Sequence, residues 1–313
     1  IHDADALIIR TRTRCDEALL KGSKVSFIAT ATIGYDHLDI EYLKRTHITW
    51  TNCPGCNANS VGQYIHSCLL LLEKEKGYDL SKTTVGLVGV GHVGHAVIEA
   101  IRPLGVQILL NDPPQKEALR KAGKPHEFFL KMEELQEKCD IISFHTPLIT
   151  KGPYPTFHLA NKTFFNALKK QPIIINTSRG AVVDNTDVLQ ALKDGIIRDA
   201  IIDTWENEPN INQELLNLIY IGTPHIAGYS ADGKANATRM ALTALCNHFH
   251  LPVTFQIRVP QLPEEELPAP NLTETERALV LYNPHADSLK LKSHPTMFEE
   301  LRGNYPLRRE FIE

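Results

Sequence analysis

The stretch VGLVGVGHVGHAV, residues 85–97, determines the expected fold. Gly89, Gly91 and Gly94 form a G-x-G-x-x-G that follows a strand pattern and opens a helix pattern. In such a turn the first glycine permits the tight bend, the second lets a pyrophosphate approach the backbone, and the third lets helix and strand pack closely. Phosphates bind at the helix N-terminus, where N–H groups and the helix dipole attract anions. The stretch predicts a dinucleotide-binding turn; the alternative is a structural glycine turn without a ligand.

The next strand pattern, VQILLND, identifies the expected dinucleotide. It ends at Asp112, eighteen residues after Gly94. A carboxylate there accepts hydrogen bonds from both hydroxyls of an adenosine ribose and repels a 2′-phosphate. The predicted cofactor is therefore NAD rather than NADP, with His92 and Val93 inside the glycine motif completing the phosphate loop.

Strand and helix patterns alternate on both sides of this turn. After it come the apolar runs CDIISFHT, PIIINTS, RDAIIDTW and LIYIG, and unbroken apolar strands are typical of parallel sheets covered on both faces. The first fifty residues repeat the alternation on a smaller scale, with ADALIIR, KVSFIATA and HITWT as strands. The pattern predicts an α/β protein with two doubly wound parallel-sheet domains, a Rossmann NAD-binding domain and a smaller flavodoxin-like substrate domain.

The domain boundaries are expected where the pattern changes. Residues 1–72 are expected to form the substrate domain, which a helix over residues 231–250 completes. Residues 73–230 are expected to form the NAD-binding domain. Residues 251–313 begin with the Pro- and Glu-rich RVPQLPEEELPAPN and are expected to be a linker and a small C-terminal module. The opening IHDADALIIR has neither a methionine nor a signal-peptide layout, so we expect a preceding segment to be missing.

Composition argues against several classes of function. The net charge of −4 lacks the basic excess of a nucleic-acid-binding protein, and no apolar run approaches the roughly 20 residues that span a bilayer. Six scattered cysteines offer no second close pair for a structural zinc site and are expected to be reduced, in the cytoplasm. Cys53 and Cys56 form a C-x-x-C between a strand and a helix pattern, which leaves a thiol-redox site open.

Three polar residues follow predicted strands of the larger sheet. They are Arg179 in INTSRGAVVD, Glu208 in DTWENEP and His225 in GTPHIAGYS. Ligands bind at the carboxyl edge of an open α/β sheet, so these side chains are expected near the nicotinamide. Together they supply a base, a carboxylate to hold it and a cation for an anionic substrate. Taken singly, Arg179 could be a surface cation, Glu208 a loop carboxylate and His225 one of fourteen histidines without a catalytic role.

These motifs resemble those of the D-isomer-specific 2-hydroxyacid dehydrogenases, which carry an Arg–Glu–His set in this order. The resemblance is carried further by TATIGYDHLD, PGCNA, LLNDPP, FHTPLITKGPYPTFHL and FEELRGNYPLRREF. It implies NAD-dependent oxidation of a phosphorylated 2-hydroxy acid and a homodimer formed by the C-terminal module. It also implies that PGCNA is a loop leading into the interdomain helix, not a zinc or redox site.

The resemblance assigns roles to individual residues. His225 would take the proton of the C2 hydroxyl, Glu208 would orient His225, and Arg179 would hold the substrate carboxylate. Cofactor contacts are implied for Thr146, Thr177, Ser178, Asp203 and Gly228, and substrate contacts for Thr11, Thr32 and Tyr229.

A substrate phosphate would require further cations. In RTRTR, Arg10, Arg12 and Arg14 lie on one side if the run stays extended, and we expect Arg10 and Arg12 to contact the phosphate. A solvated strand end is an equal alternative, and Arg308 and Arg309 could instead reach a neighbouring subunit. Two other functions stay open: a D-2-hydroxyacid dehydrogenase acting on phosphoglycerate, glycerate or lactate, and an NADH-sensing corepressor or scaffold.

Overall fold

The computed structural model describes residues 1–310 and confirms an α/β fold with two parallel sheets. The chain divides into two compact units. The first contains Ile1–Ser60, Tyr229–Pro263 and the described residues from Leu307 on. The second contains Val61–Gly228 and Glu264–Pro306.

Strands and helices alternate through most of the chain. In order they are β1 (Ala6–Ile9), α1 (Glu17–Leu20), β2 (Phe27–Thr30), α2 (Ile40–Arg45), β3 (Thr49–Thr51), α3 (Ala58–Lys76), β4 (Thr84–Val88), α4 (His92–Ile101), β5 (Gln107–Asn111), α5 (Pro113–Lys121), α6 (Met132–Lys138), β6 (Ile141–Phe144), α7 (Lys162–Asn166), β7 (Ile173–Asn176), α8 (Asn185–Lys193), β8 (Asp199–Ile202), α9 (Gln213–Leu218), β9 (Ile221–Gly222), α10 (Ala231–His248), α11 (Glu274–Leu281), α12 (Pro284–Ser293) and α13 (Phe298–Gly303).

The sheet of the first unit has the order β1-β2-β3, and its strands are parallel. Successive side chains of a strand point to opposite faces, and β2 shows how both faces are used. Ile28 packs in a cluster with Leu43, while Phe27 and Ala29 pack on the other side with Ala241 of α10. Because both faces of β2 are covered, its sequence does not alternate between apolar and polar residues.

The sheet of the second unit has the order β5-β4-β6-β7-β8-β9, again parallel. The strand order reverses at β4, since β5 lies on one side of it and β6 on the other. Crevices that bind ligands form at such a switch point, outside the carboxyl ends of the strands. The central strands are fully buried, with Ile142, Phe144 and Ile174 in the core, so the edge that carries the candidate site rests on a rigid base.

The C-terminal residues are distributed differently from the expected single module 251–313. Residues 264–306 belong to the second unit, where Leu291 and Phe298 are fully buried in the core. Ser288 of α12 accepts a hydrogen bond on Oγ from Gly222 N at 2.9 Å, beside the edge strand β9. The first boundary also lies at Ser60 rather than residue 72, because most of α3 packs with the second unit.

The run RTRTR does not stay extended, so the condition for its three arginines to lie on one side is not met. β1 ends at Ile9, and Thr13 N donates to Arg10 O at 3.2 Å, which closes a turn. Arg14 pairs with Asp16 at 3.0 Å, and the Asp16 side chain caps α1. The chain turns here because the short α1 begins at once. Among residues 1–310, no helix combines the length and apolar character needed to cross a bilayer.

Candidate active site

The glycine turn lies between β4 and α4, and two of its three positions require glycine. Gly89 has a φ of +90°, and a Cβ there would lie 2.9 Å from the backbone of His145. A Cβ on Gly94 would lie 2.4 Å from Gly89 O. Gly91 precedes α4 without a side-chain cap, and a Cβ there would meet open space. The turn thus leaves room beside the uncapped helix N-terminus, as bound phosphates require.

Asp112 follows β5 and lies beside this turn. Its Oδ2 accepts from Val90 N at 2.8 Å and its Oδ1 from Gln115 N at 2.9 Å. The carboxylate therefore caps α5 and holds the glycine turn against β5. A carboxylate has about four acceptor positions, so it can also accept from a ribose hydroxyl. These features fit NAD, with His92 and Val93 in the first turn of α4.

His145 and Thr146 follow β6 and place uncharged polar side chains at the carboxyl edge of the same sheet. Burial lowers the pKa of His145 to about 3, so its ring is neutral. Its Nε2 lies 2.9 Å from Ser143 Oγ, and its Nδ1 lies 3.2 Å from Thr177 Oγ1. The buried Thr146 Oγ1 has no hydrogen-bond partner among the described residues, and an orphaned hydroxyl of this kind fits a polar cofactor group.

Arg179 stands in a turn that packs tightly against the end of β8. Asn176 Nδ2 donates to Arg179 O at 3.0 Å, and Ser178 Oγ donates to Asn176 Oδ1 at 2.7 Å. A Cβ on Gly180 would lie 1.9 Å from Trp205 O, so this position also requires glycine. Arg179 Nη1 donates to Ser178 O at 2.8 Å, leaving its other donors for a ligand.

Glu208 and His225 form the central pair of the site. His225 Nδ1 lies 2.8 Å from Glu208 Oε2, and Trp205 N donates to Glu208 Oε1 at 2.8 Å. Burial alone raises the pKa of Glu208. This pKa is nevertheless held below its usual value by the hydrogen bond and charge of His225, and then by the Trp205 N–H and the charge of Arg302. An ionised carboxylate can only accept, so Nδ1 carries the ring proton and Nε2 is left as a base.

Asp203 fixes the loop that carries this histidine. Its side chain is buried and accepts from Thr223 Oγ1 at 2.7 Å, Ile226 N at 2.7 Å and Ala227 N at 3.0 Å. Burial raises the pKa of Asp203 despite these donors. Gly228 follows directly and ends the second unit. The cofactor contacts predicted for Asp203 and Gly228 stay predictions. The structure shows instead that Asp203 holds the loop around His225 through its three hydrogen bonds.

The predicted substrate residues belong to the first unit. Thr11 and Arg12 are exposed on the turn after β1, with Arg10 just before them. Thr32 Oγ1 donates to Gly34 O at 2.8 Å and is half-buried. Tyr229 is half-buried beneath the Lys234 ammonium, whose Nζ lies 5.5 Å from the ring centroid. Substrate contacts of these residues stay predictions.

The C-x-x-C thiols lie in a buried environment. Cys53 is fully buried and its Sγ donates to Ala237 O at 3.3 Å, while Cys56 is 6% exposed. Burial raises the pKa of Cys56 to about 12 and also raises that of Cys53. Thiol–disulfide exchange requires an accessible thiolate, so this geometry disfavours the redox reading.

Sequence reasoning missed several residues that shape the site. Gly180 permits the close approach of two loops, and Asn176 holds the Arg179 turn. Arg302, from α13, lies 3.8 Å from Glu208 Oε2. A buried polar residue ending an apolar strand, as Asn176 does, was a usable sequence indication. Arg302 gave none, because its contact joins positions far apart in the chain.

Comparison with known proteins identifies the relatives of this chain. Residues 69–227 match the family described as D-isomer specific 2-hydroxyacid dehydrogenase, NAD binding domain. An erythronate-4-phosphate dehydrogenase of Bacteroides fragilis is 54% identical over 99% of this chain and 87% of its own length. One from Escherichia coli O157:H7 is 40% identical over 99% of this chain and 83% of its own length. Among solved structures, the NAD⁺-bound 3-phosphoglycerate dehydrogenase of Entamoeba histolytica has a TM-score of 0.66 and 28% identity, covering 82% of this chain and 83% of its own. The family resemblance seen in the sequence is confirmed.

Proposed function

The chain belongs to the D-isomer specific 2-hydroxyacid dehydrogenase family, and we propose that it uses NAD to oxidise 4-phospho-D-erythronate at C2 to 2-oxo-3-hydroxy-4-phosphobutanoate. The observation that carries the proposal is the 2.8 Å contact between His225 Nδ1 and Glu208 Oε2, in the unit whose glycine turn fits NAD. The identity of the substrate is inferred from nearly full-length relatives named erythronate-4-phosphate dehydrogenase. The product of this reaction enters pyridoxal 5′-phosphate biosynthesis.

Proton transfer is the task of the Glu208–His225 pair. NAD held at the glycine turn would supply the acceptor for the hydride that leaves C2. His225 Nε2 takes the proton of the C2 hydroxyl, so the C2–H bond and the O–H bond break and a carbonyl forms. The imidazolium that results is stabilised by the Glu208 carboxylate on its Nδ1–H. Acid–base help of this kind typically contributes about 10²–10⁴ in rate.

Arg179 is proposed to bind the substrate carboxylate and polarise the C2 oxygen. Its planar fork of donors matches the geometry of a carboxylate, and a lysine would not replace it. The turn between Asn176 and Gly180 fixes the Arg179 backbone, so the side chain extends from a rigid support.

The first unit supplies cations for the phosphate. Arg10 and Arg12 remain the residues predicted for this contact, and we propose Lys234 on α10 as a third. Burial, then the positive charges of Arg10 and Arg308, lower the pKa of Lys234, so three cations lie near one another. A phosphate dianion is attracted to a group of positive charges, which supports placing the substrate phosphate here.

Two further properties belong to the proposal. The chain is proposed to act as a homodimer through α11 and α12, which expose Val280 and Leu289, each 54% exposed. A cytoplasmic location is proposed because the cysteines in the described residues are free thiols. The other hydroxy acids and the sensor reading are less favoured, since the full-length relatives named here carry the name of one dehydrogenase.

The proposal is tested by following NADH formation. NAD is mixed with 4-phospho-D-erythronate, 3-phosphoglycerate, D-glycerate or D-lactate, using the parent chain, His225→Ala and the exposed control His294→Ala. Turnover of 4-phospho-D-erythronate that is lost only in His225→Ala supports the proposal. Preference for another acid overturns the substrate, and absence of turnover despite NADH binding favours the sensor reading.

The phosphate contact is tested in the same assay. Lys234→Met should raise the KM for 4-phospho-D-erythronate about 10- to 100-fold, as expected for loss of a hydrogen bond to a charged group. Exposed Lys44 of the same unit provides the control Lys44→Met. An unchanged KM in Lys234→Met would remove this residue from the phosphate site.

A further inference from the structure

The C-terminal helix α13 brings a positive charge to the Glu208–His225 pair. Arg302 Nη1 lies 3.8 Å from Glu208 Oε2, and the Arg302 side chain is 20% exposed. Phe298, at the start of the same helix, is fully buried in the core of the second unit and anchors the helix. The guanidinium is therefore held near the carboxylate by packing, not only by charge.

The contact is made to the oxygen that also holds the base. Glu208 Oε1 accepts from Trp205 N at 2.8 Å, and Glu208 Oε2 lies 2.8 Å from His225 Nδ1. Arg302 and His225 thus share Oε2. At 3.8 Å the arginine makes an ion pair with this oxygen and not a hydrogen bond, so it does not displace the histidine.

We propose that Arg302 is a positioning residue that keeps the proposed base His225 unprotonated before the reaction, by offsetting part of the Glu208 charge. This inference rests on the proposed function, in which His225 must accept a proton. A carboxylate alone favours the charged imidazole and so reduces the fraction of base available at neutral pH. A cation beside the carboxylate weakens that preference and still leaves Glu208 ionised to orient the ring.

Other charged groups surround the pair and oppose or modify this effect. The buried Asp203 interacts with the charge of His225, which lowers the Asp203 pKa against the larger effect of burial. Glu299 lies 3.6 Å from Arg302 Nη1, but its side chain is 52% exposed, so solvent screens it. Within residues 1–310, Glu208 forms ion pairs with His225 and with Arg302.

The test is the protonation of His225 in Arg302→Gln. The midpoint of the His225 imidazole titration, read by NMR and assigned with His225→Ala, should move to higher pH by about 0.5–1 unit, the size expected when one charge beside the shared carboxylate is lost in partly screened surroundings. The acidic limb of the kcat/KM profile should move by the same amount, and activity at high pH should stay within a few-fold of the parent.

Two matched variants separate charge from packing. Arg302→Lys keeps the cation and should restore both midpoints, while Lys138→Gln removes an exposed cation of the same unit and should leave them unchanged. The inference is overturned if Arg302→Gln titrates like the parent, or if Lys138→Gln or Arg302→Lys moves the midpoint as far. The NMR titration needs no substrate, so failure of the proposed activity would be distinguished from failure of this inference.

Discussion

Replacing Glu208 by glutamine tests the catalytic pair with little change in shape. In the parent, Glu208 Oε2 lies 2.8 Å from His225 Nδ1, and Trp205 N donates to Oε1. The amide has no charge, and its NH₂ group can donate to Nδ1. That would place the ring proton on Nε2, the nitrogen proposed to act as the base. Two losses are therefore expected together: less stabilisation of the imidazolium and a larger population of the wrong tautomer.

The size of the effect follows from the distances and the exposure. Two unit charges about 4 Å apart interact by about 4 kcal/mol in surroundings of effective dielectric about 20. The side chains of Glu208 and His225 are 18% and 27% exposed, and Arg302 opposes the carboxylate, so part of this interaction is lost to screening. We expect a loss of about 2–4 kcal/mol in transition-state stabilisation, which corresponds to about 30- to 1000-fold in kcat/KM.

The assay is NADH formation from 4-phospho-D-erythronate across pH, with Glu214→Gln as a control that removes an exposed carboxylate on α9. NADH binding, measured by fluorescence, should be unchanged in both variants, because the glycine turn lies on β4 and α4. A Glu208→Gln enzyme within threefold of the parent, with the same pH profile, would refute the role of Glu208 in holding the base.

Two further perturbations test the support of the site and the docking of the C-terminal segment. Gly180→Ala should destabilise the fold by about 3 kcal/mol, because the new Cβ would lie 1.9 Å from Trp205 O; an unchanged melting curve would contradict this. Burial alone raises the pKa of Glu75, but hydrogen bonds from Tyr220 and His285 hold it below its usual value. A depressed carboxyl pKa contributes stability above the unfolded-state value of about 4.5 that is lost as pH falls. Glu75→Gln should therefore unfold at lower urea than the parent at neutral pH, and the difference should vanish in acid; equal midpoints at neutral pH would refute it.

Much of the fold follows from local rules that a sequence expresses directly. Both sheets are parallel because apolar runs without polar alternation need cover on both faces, which helices between strands provide. The turn at Gly89 and Gly94 could be predicted because a side chain at either position would collide with the backbone. The same local rules placed Asp112 and His225 after their strands.

Other features required the packing of elements that are distant in sequence. The run RTRTR is a turn because Asp16 caps a helix immediately after it, a competition that strand periodicity does not reveal. The C-terminal residues join the second unit because Phe298 finds a buried place in its core.

The fold class, the NAD-binding turn and the family could be predicted from the order of residues, because each depends on residue types at fixed short spacings. The tertiary structure alone decided which side chains face one another: that His225 offers Nδ1 to Glu208, and that Arg302 shares the same oxygen. The physical reason is that electrostatic interactions depend on distances of a few ångströms in space. Such distances are set by the packing of whole elements and not by separation along the chain.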